Sequence, residues 1–370
     1  MTIGFVLDDS LDKPDGVQQA VITTGEWMRK QGHEVHYLVG RSERTDIENV
    51  HSLAKTFRVK FNGNTMGTPL PASNSQLEEF FRNHSFDVLH VCMPYSPFFA
   101  AKIIKLAPNT TKIIGTFHIL PYTKFSSLAT KQLARFLRSS LKRFNAFVSV
   151  SEPAAKFAKA SFGISSVVIP NPVTTANFLQ ARGSAEKSTV KRIVFLGRLE
   201  ERKGVLELVK AYKTLLQTDQ KQVNKTKLII GGKGPLKDTV HGLLMSLPNG
   251  AQTEQLGFIP EADKAKLLAS ADVAVFPSTS GESFGIVLVE AMAAGSRLII
   301  AGNNPGYSSV LAAKPALLFN PRNVNEFADK LIWALSDTSE TKELGTWLHG
   351  QAERYDVASV GEQLLKLYKS

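Results

Sequence analysis

The sequence predicts an α/β fold built from two Rossmann-like domains that face each other across a cleft. Three observations predict it. Short β-rich runs alternate with helical patterns through the first half; a polar stretch at residues 171–192 interrupts them; the alternation then restarts. Strands that alternate with helices call for a parallel sheet covered on both faces. With 370 residues and 43% apolar content, the chain is long enough for two such cores.

The elements follow in order. "TIGFVLD" reads as the first strand, Val17 to Lys30 as a helix and "HEVHYLV" as the second strand. "DVLHVCM" (87–93), "TKIIGTFH" (111–118) and "AFVSVS" (146–151) continue the first sheet. The polar run 171–192 reads as an interdomain linker, after which "RIVFLG", "TKLIIGG", "EQLGF", "VAVFP", "RLIIAG" and "ALLFN" supply the second sheet. The domains are therefore 1–172 and 173–355, and the last helix, at about 356–370, is free to dock on either half.

Bulk composition excludes several classes. The single cysteine, Cys92, rules out an internal disulfide framework and fits a reducing compartment. The N-terminus carries acids at once and lacks a basic region, so it does not read as a signal peptide. The sequence holds no run of about 18 uninterrupted apolar residues, so no membrane-spanning helix is expected. The net charge of +11 is concentrated: nine Lys or Arg and no acid lie between Asp87 and Glu152. A field that localised attracts phosphate-bearing ligands or surfaces.

Four stretches carry chemistry. Asp15-Gly16 sits between the first strand and the first helix, where glycine lets the backbone approach a phosphate; an ordinary turn is the competing reading. "FLGRLEERKG" places Arg198 and Lys203 just past a strand's end, a position suited to a pyrophosphate or, equally, to a solvated helix start. Glu200, Glu201 and Arg202 read as that solvated start. The turn "IIGGKGPL", with Gly232, lacks the G-x-G-x-x-G dinucleotide fingerprint but lets a flat base or ribose lie against backbone. "GESFGIVLVEAMAAG" (281–295) puts Glu282 before an apolar helix that starts near Phe284, and Glu290 inside it. Such carboxylates serve either as an acid–base pair or as two separate hydroxyl acceptors. Apolar residues surround Glu290, so its carboxylate needs a partner, and a ribose diol is a suitable one.

Together "GRLEERKG", "GGKGPL", "LGFIPEADKAKLLASADVAVFPS" and "GESFGIVLVEAMAAG" resemble the C-terminal half of a retaining GT-B glycosyltransferase of family 4. "DGVQQ", "GHEV", "GTFH" and "VSVSEPA…VVIPNPV" agree with it. Within that family the chain is similar to bacterial phosphatidylinositol mannosyltransferases and related lipid glycosyltransferases. The resemblance implies that Gly16 contacts the distal phosphate, that Arg198 and Lys203 neutralise the pyrophosphate, and that Glu282 binds donor-sugar hydroxyls. Backbone amides at Phe284 and Gly285 would lie near the phosphate, and Glu290 would accept from the ribose. Ile259 and Lys264 would frame the base, Gly232 would line the donor site, and His118 would lie near the transferred sugar. One departure matters: "FNGNTMGTPLP" (61–71) lacks the arginines that help those enzymes hold an inositol phosphate.

In "SSLATKQLARFLRSSLKRF" (126–144), leucines recur at helical spacing, and Lys131, Arg135, Arg138, Lys142 and Arg143 supply basic charge. A basic amphipathic helix fits an anionic membrane surface; a packed helix with a solvated basic face is the competing reading. No recognised nucleic-acid module is present. The expectation is a retaining hexosyltransferase, peripheral on the cytoplasmic face, taking a nucleotide-diphosphate sugar (GDP-mannose or a UDP-hexose) to a lipid or amphiphilic acceptor. It assigns no metal and no cofactor, since "DD" at 8–9 is not a D-x-D motif. Rival readings are a soluble transferase for a small sugar or polyol, a non-catalytic sugar-nucleotide binder, and a nicotinamide dehydrogenase.

Overall fold

The computed structural model describes residues 1–12, 15–54, 56–61, 64–69, 72–97, 99–118, 120, 132–183, 188–218 and 225–370, with backbone alone at 56–61 and 64–69. The chain divides into two compact units, Met1–Pro172 with Val357–Ser370, and Val173–Asp356.

In the first unit β1 (Thr2–Leu7), β2 (Glu34–Val39), β3 (Val50–Ser52), β6 (Val88–Val91), β7 (Lys112–Phe117), β8 (Ala146–Ser149) and β9 (Val167–Val168) form one sheet in the order β3-β2-β1-β6-β7-β8-β9. Every pairing is parallel, with Thr2 opposite Glu34 and Ile3 opposite Val88. Fully buried on both faces, β1 and β2 read as near-continuous apolar runs, as a covered parallel sheet requires. β3, β9 and the antiparallel hairpin β4 (Thr56–Phe61) and β5 (Asn64–Pro69) were not among the strands expected from the sequence. β3 and β9 are short, whereas β4 does alternate, with Phe57, Val59 and Phe61 set off by Arg58 and Lys60.

The helix Gly16–Lys30 covers one face. Against it packs the last helix, Val357–Lys369, whose Val360, Leu364 and Tyr368 join the same core as Phe5, Val21 and Tyr37. The docking is reinforced by a buried contact between the Tyr368 hydroxyl and His90 Nδ1. At the end of β1, buried Asp8 accepts from the Ala100 amide at 3.2 Å and touches Ser96, fixing the start of the helix Phe99–Leu106. Burial, and to a smaller extent Asp9, pushes the Asp8 carboxyl up to about 8 despite the Ala100 hydrogen bond.

The second unit holds β10 (Lys191–Leu196), β11 (Thr226–Gly231), β12 (Gln252–Gly257), β13 (Val273–Phe276), β14 (Ile299–Gly302) and β15 (Leu318–Phe319) in the parallel order β12-β11-β10-β13-β14-β15. The chain steps from β10 outward to β12 and then returns to β13 on β10's other edge. Loops leaving the C-terminal ends of β10 and β13 therefore diverge around one crevice, the usual ligand position in such sheets.

Residues 171–192 are not a plain linker. Val173 donates its amide to Tyr355 O at 2.9 Å, Thr175 Oγ1 donates to Asp356 at 2.5 Å, and Phe178 of the short helix Ala176–Leu179 is buried. The polar composition of the stretch conceals three inward apolar side chains, Val173, Phe178 and Ala181. The described residues from Val173 onward belong to the second unit.

Candidate functional site

Past β10 the chain runs through Arg198 into a 3₁₀ turn at Glu201–Lys203, and Gly204 then opens the helix Val205–Thr218. Past β13 it runs through Ser278 and Glu282 to Gly285, the N-cap of the helix Ile286–Ala294. These two loops are sewn together. The Thr279 amide donates to Arg202 O at 2.8 Å, and the Ser278 hydroxyl, whose single proton is shared with Glu282 Oε1, lies 2.9 Å from the same carbonyl. Asn304, which caps the helix Pro305–Leu311, holds Ser278 O from below at 3.0 Å.

Within this clasp Glu282 Oε1 receives Arg202 Nη1 at 2.7 Å, Lys203 Nζ at 2.8 Å and Ser278 Oγ at 3.0 Å. Arg202 Nε lies 3.3 Å from Glu200 Oε2, and Arg198 Nη1 lies 3.3 Å from Glu200 Oε1. Cations and carboxylates thus alternate along Arg198, Glu200, Arg202, Glu282 and Lys203. Three cations against two carboxylates leave a formal +1 at the mouth of the crevice. Burial would raise the Glu282 carboxyl, but Lys203 and Arg202 outweigh it and bring the group down to about 2. Burial pushes the Lys203 ammonium down against the pull of Glu282.

The expectation that Glu200 and Arg202 form a solvated helix start is corrected by this geometry. Their side chains are only 18% and 10% exposed, and both belong to the ion-pair chain. Glu201 alone of the three is exposed. The signal for this was the alternation of charge at 198, 200 and 202, which a turn closing back on the next loop can satisfy.

Glu290 is buried inside the helix Ile286–Ala294, as its apolar neighbours required, and its protein partner is Lys264 at 3.3 Å. Lys264 also pairs with Glu261 at 2.7 Å. Burial raises the Glu290 carboxyl, opposed by Lys264; burial lowers Lys264, but Glu290 and Glu261 outweigh it and carry it up. The two glutamates of the stretch 281–295 thus titrate in opposite directions in separate surroundings. Each carboxylate is engaged by its own cations, Glu282 by Arg202 and Lys203 and Glu290 by Lys264.

The remaining donor-side residues divide between crevice and core. The helix begins at Ile286, not Phe284, and the Phe284 ring is buried against Tyr355 at 5.5 Å. Gly232 has φ +140°, and a Cβ there would sit 1.8 Å from Gly197 O, so its glycine is required by the neighbouring strand loop. Ile259 is half-buried against Gly231.

In the first unit, Gly16 is the exposed first residue of its 15-residue helix. His118, at the end of β7, lines a cavity of about 30 Å³ with Thr24, His90, Thr116 and Asn171. Burial pushes the His118 imidazole down to about 4, against a hydrogen bond to Asn171, so the ring is neutral at pH 7. That volume admits water.

The basic stretch departs from one continuous amphipathic helix. Residues 132–136 are helical, the chain turns at Leu137, and a second short helix spans Arg138–Leu141. Leu137 is buried while Phe136 is 72% exposed, flanked by exposed Arg135, Arg138 and Lys142. Arg143 differs: it donates to Asn109 Oδ1 at 2.7 Å and Ala107 O at 3.0 Å, tying down the loop after the helix Phe99–Leu106. Its charge is spent on backbone carbonyls rather than offered to a surface. Lys131 lies outside the described residues, as do Asn62 and Gly63 of the 61–71 stretch. Among the described residues no helix is long and apolar enough to cross a membrane. Among them, too, no group of three His, Cys, Asp or Glu could hold a metal ion.

Residues 14–177 match the family described as Glycosyltransferase Family 4, and residues 178–346 match Glycosyl transferases group 1. A phosphatidyl-myo-inositol mannosyltransferase of Mycolicibacterium smegmatis is 30% identical over 377 residues, spanning 100% of this chain and 94% of its own. Among solved structures, a glycosyltransferase from Rickettsia africae ESF-5 aligns with a TM-score of 0.77 at 19% identity, covering 100% of this chain and 97% of its own. An Anabaena protein in complex with UDP and glucose aligns over 100% of both chains with a TM-score of 0.74 at 19% identity. These structures share the GT-B fold with it.

Proposed function

Since the chain belongs to the GT-B glycosyltransferases, with a family 4 and a group 1 domain, we propose that it is a retaining hexosyltransferase. It moves a hexose from a nucleotide-diphosphate sugar to a hydroxyl of a lipid or lipid-linked acceptor. The observation that carries the donor half is the ion-pair chain at the β10 and β13 ends, where Arg202 and Lys203 hold Glu282 just ahead of the helix Ile286–Ala294 and Arg198 joins the chain through Glu200.

In this reading the diphosphate lies against Arg198, Lys203 and the first-turn amides of that helix, which neutralise its charge without a metal. Glu282 accepts from sugar hydroxyls and Glu290 from the ribose, while Gly16, Phe284 and Gly285 present backbone amides to phosphate. Gly232, Ile259 and Lys264 border the nucleoside, and His118 serves the transferred sugar as a neutral hydrogen-bonding group. The acceptor hydroxyl attacks the anomeric carbon on the face the diphosphate leaves, and a leaving phosphate oxygen takes its proton. The protein contributes positioning and charge stabilisation.

The full-length likeness to a phosphatidyl-myo-inositol mannosyltransferase supports a lipid acceptor, as does Phe136 standing exposed among Arg135, Arg138 and Lys142. An apolar ring ringed by cations suits the boundary of an anionic bilayer at the cytoplasmic face. The test pairs GDP-mannose, UDP-glucose, UDP-galactose and UDP-GlcNAc with phosphatidylinositol vesicles and with soluble polyols, in the presence and absence of EDTA. Transfer to the vesicle acceptor, insensitive to EDTA and with the donor's anomeric configuration kept, is the expected result. Transfer to polyols alone would replace the acceptor class; inversion would remove the retaining assignment.

A further inference from the structure

Arg202 stands apart from the other two cations of the crevice. Its side chain is 10% exposed, whereas that of Arg198 is 35% exposed. Its guanidinium faces two carboxylates at once, with Nη1 2.7 Å from Glu282 Oε1 and Nε 3.3 Å from Glu200 Oε2. Its carbonyl oxygen also receives the Thr279 amide, so main chain and side chain both grip the loop that carries Glu282.

The distribution of contacts on Glu282 is uneven. Among the described residues, the hydrogen bonds of Arg202 and Ser278 and the closest approach of Lys203 all fall on Oε1. An ionised carboxyl has room for about four donors, two to each oxygen, so Oε1 is saturated and Oε2 keeps its capacity. Three donors converging on one oxygen position fix the plane of the carboxyl, because any rotation short of the half-turn that interchanges the two equivalent oxygens gives up charge-assisted or hydroxyl contacts.

We infer that Arg202, seconded by Ser278, is a positioning residue that clamps Glu282 through Oε1 so that Oε2 faces the hydroxyls of the transferred sugar. This rests on the reading of the crevice as a nucleotide-sugar site, and it adds a division of labour among its three cations. Arg198 and Lys203 serve the diphosphate; Arg202 serves the sugar, by way of Glu282. The consequence is specific. Loss of Arg202 weakens a ligand that carries the sugar and spares the same ligand without it.

The experiment measures, by calorimetry on the full chain, the affinities of UDP-glucose against UDP and of GDP-mannose against GDP. It does so for the native protein and for Arg202→Met, Arg202→Lys and Ser278→Ala. For the pair that the native protein binds, Arg202→Met should lose about tenfold or more on the nucleotide sugar and less than about threefold on the diphosphate. Arg202→Lys should recover part of that loss, since it restores the charge without the second contact to Glu200. Ser278→Ala should move in the same sense by a smaller factor, and it carries the comparison alone if Arg202→Met does not fold. Equal losses on both ligands would make Arg202 a phosphate ligand and overturn the inference; no loss on either would overturn it as well. If the native protein binds neither member of either pair, the nucleotide-sugar reading falls first and this inference with it.

Discussion

Gly204 and Pro277 stand so close that a Cβ on Gly204 would lie 2.0 Å from the Pro277 carbonyl oxygen, and Gly204 itself has φ +72°. This is the point at which the loop after β10 is pressed onto the end of β13. The crevice exists because these two loops touch, and a side chain at 204 would force them apart. Gly204→Ala should therefore cost about 3 kcal/mol or more, from the left-handed backbone and the clash together. Urea denaturation measures the loss, and a variant within about 0.5 kcal/mol of the native protein would show that the loops are not held by this contact.

Removing the donor-side groups should separate their roles. Arg198→Ala and Glu290→Ala should each abolish the thermal shift produced by whichever of the four nucleotide sugars binds. An unchanged shift in both variants would mean that the donor site lies elsewhere.

The last helix is tied to the first unit by Tyr368, whose hydroxyl meets buried His90. Tyr368→Phe removes that partner and leaves a buried ring nitrogen with one fewer contact. A cost of about 1–3 kcal/mol follows from the unsatisfied group. Thermal unfolding of the full chain reads it, and an unaltered midpoint would count against the coupling.

Acid should weaken the first unit in a defined window. His90 and His118 are pushed down to about 3 and about 4 by burial, from an ordinary value of 6.5. The folded chain thus binds fewer protons than the unfolded chain below the ordinary value. The two histidines' contribution is fully present above about pH 6.5, declines as pH falls toward 4 for His118, and continues to decline toward 3 for His90, while Asp8, held up at about 8, works in the opposite sense over the same range. The His118 share is on the order of 3 kcal/mol by pH 4. His118→Asn should flatten the decline between pH 6.5 and 4; an unchanged slope would place the acid sensitivity elsewhere. Glu282 acts in a lower window. Its depressed carboxyl contributes stability above its ordinary 4.5, lost as pH falls toward about 2.

At the surface, Phe136→Asp and the pair Arg135→Glu with Arg138→Glu should each reduce co-sedimentation with anionic vesicles several-fold. Binding that persists in both would leave the exposed ring and its cations without a membrane role.

The sequence by itself determined the two parallel sheets, because a strand buried on both faces must be apolar where it is covered, and β1, β2, β10, β11, β13 and β14 each carry such a run. It also determined that Glu290 is buried, since every neighbour at helical spacing is apolar. The partners of the charged groups were another matter. Lys264 answers Glu290 from 26 positions away, and Arg202 answers Glu282 from 80. Spacing along the chain carries no trace of pairs made by loops from different strands. The same holds for Arg143, whose charge reads as surface until it is seen holding Ala107 O. Local periodicity decides which residues enter a core, because burial is a property of one face of one element. Which cation meets which carboxylate is fixed only when the sheet order brings the ends of β10 and β13 side by side.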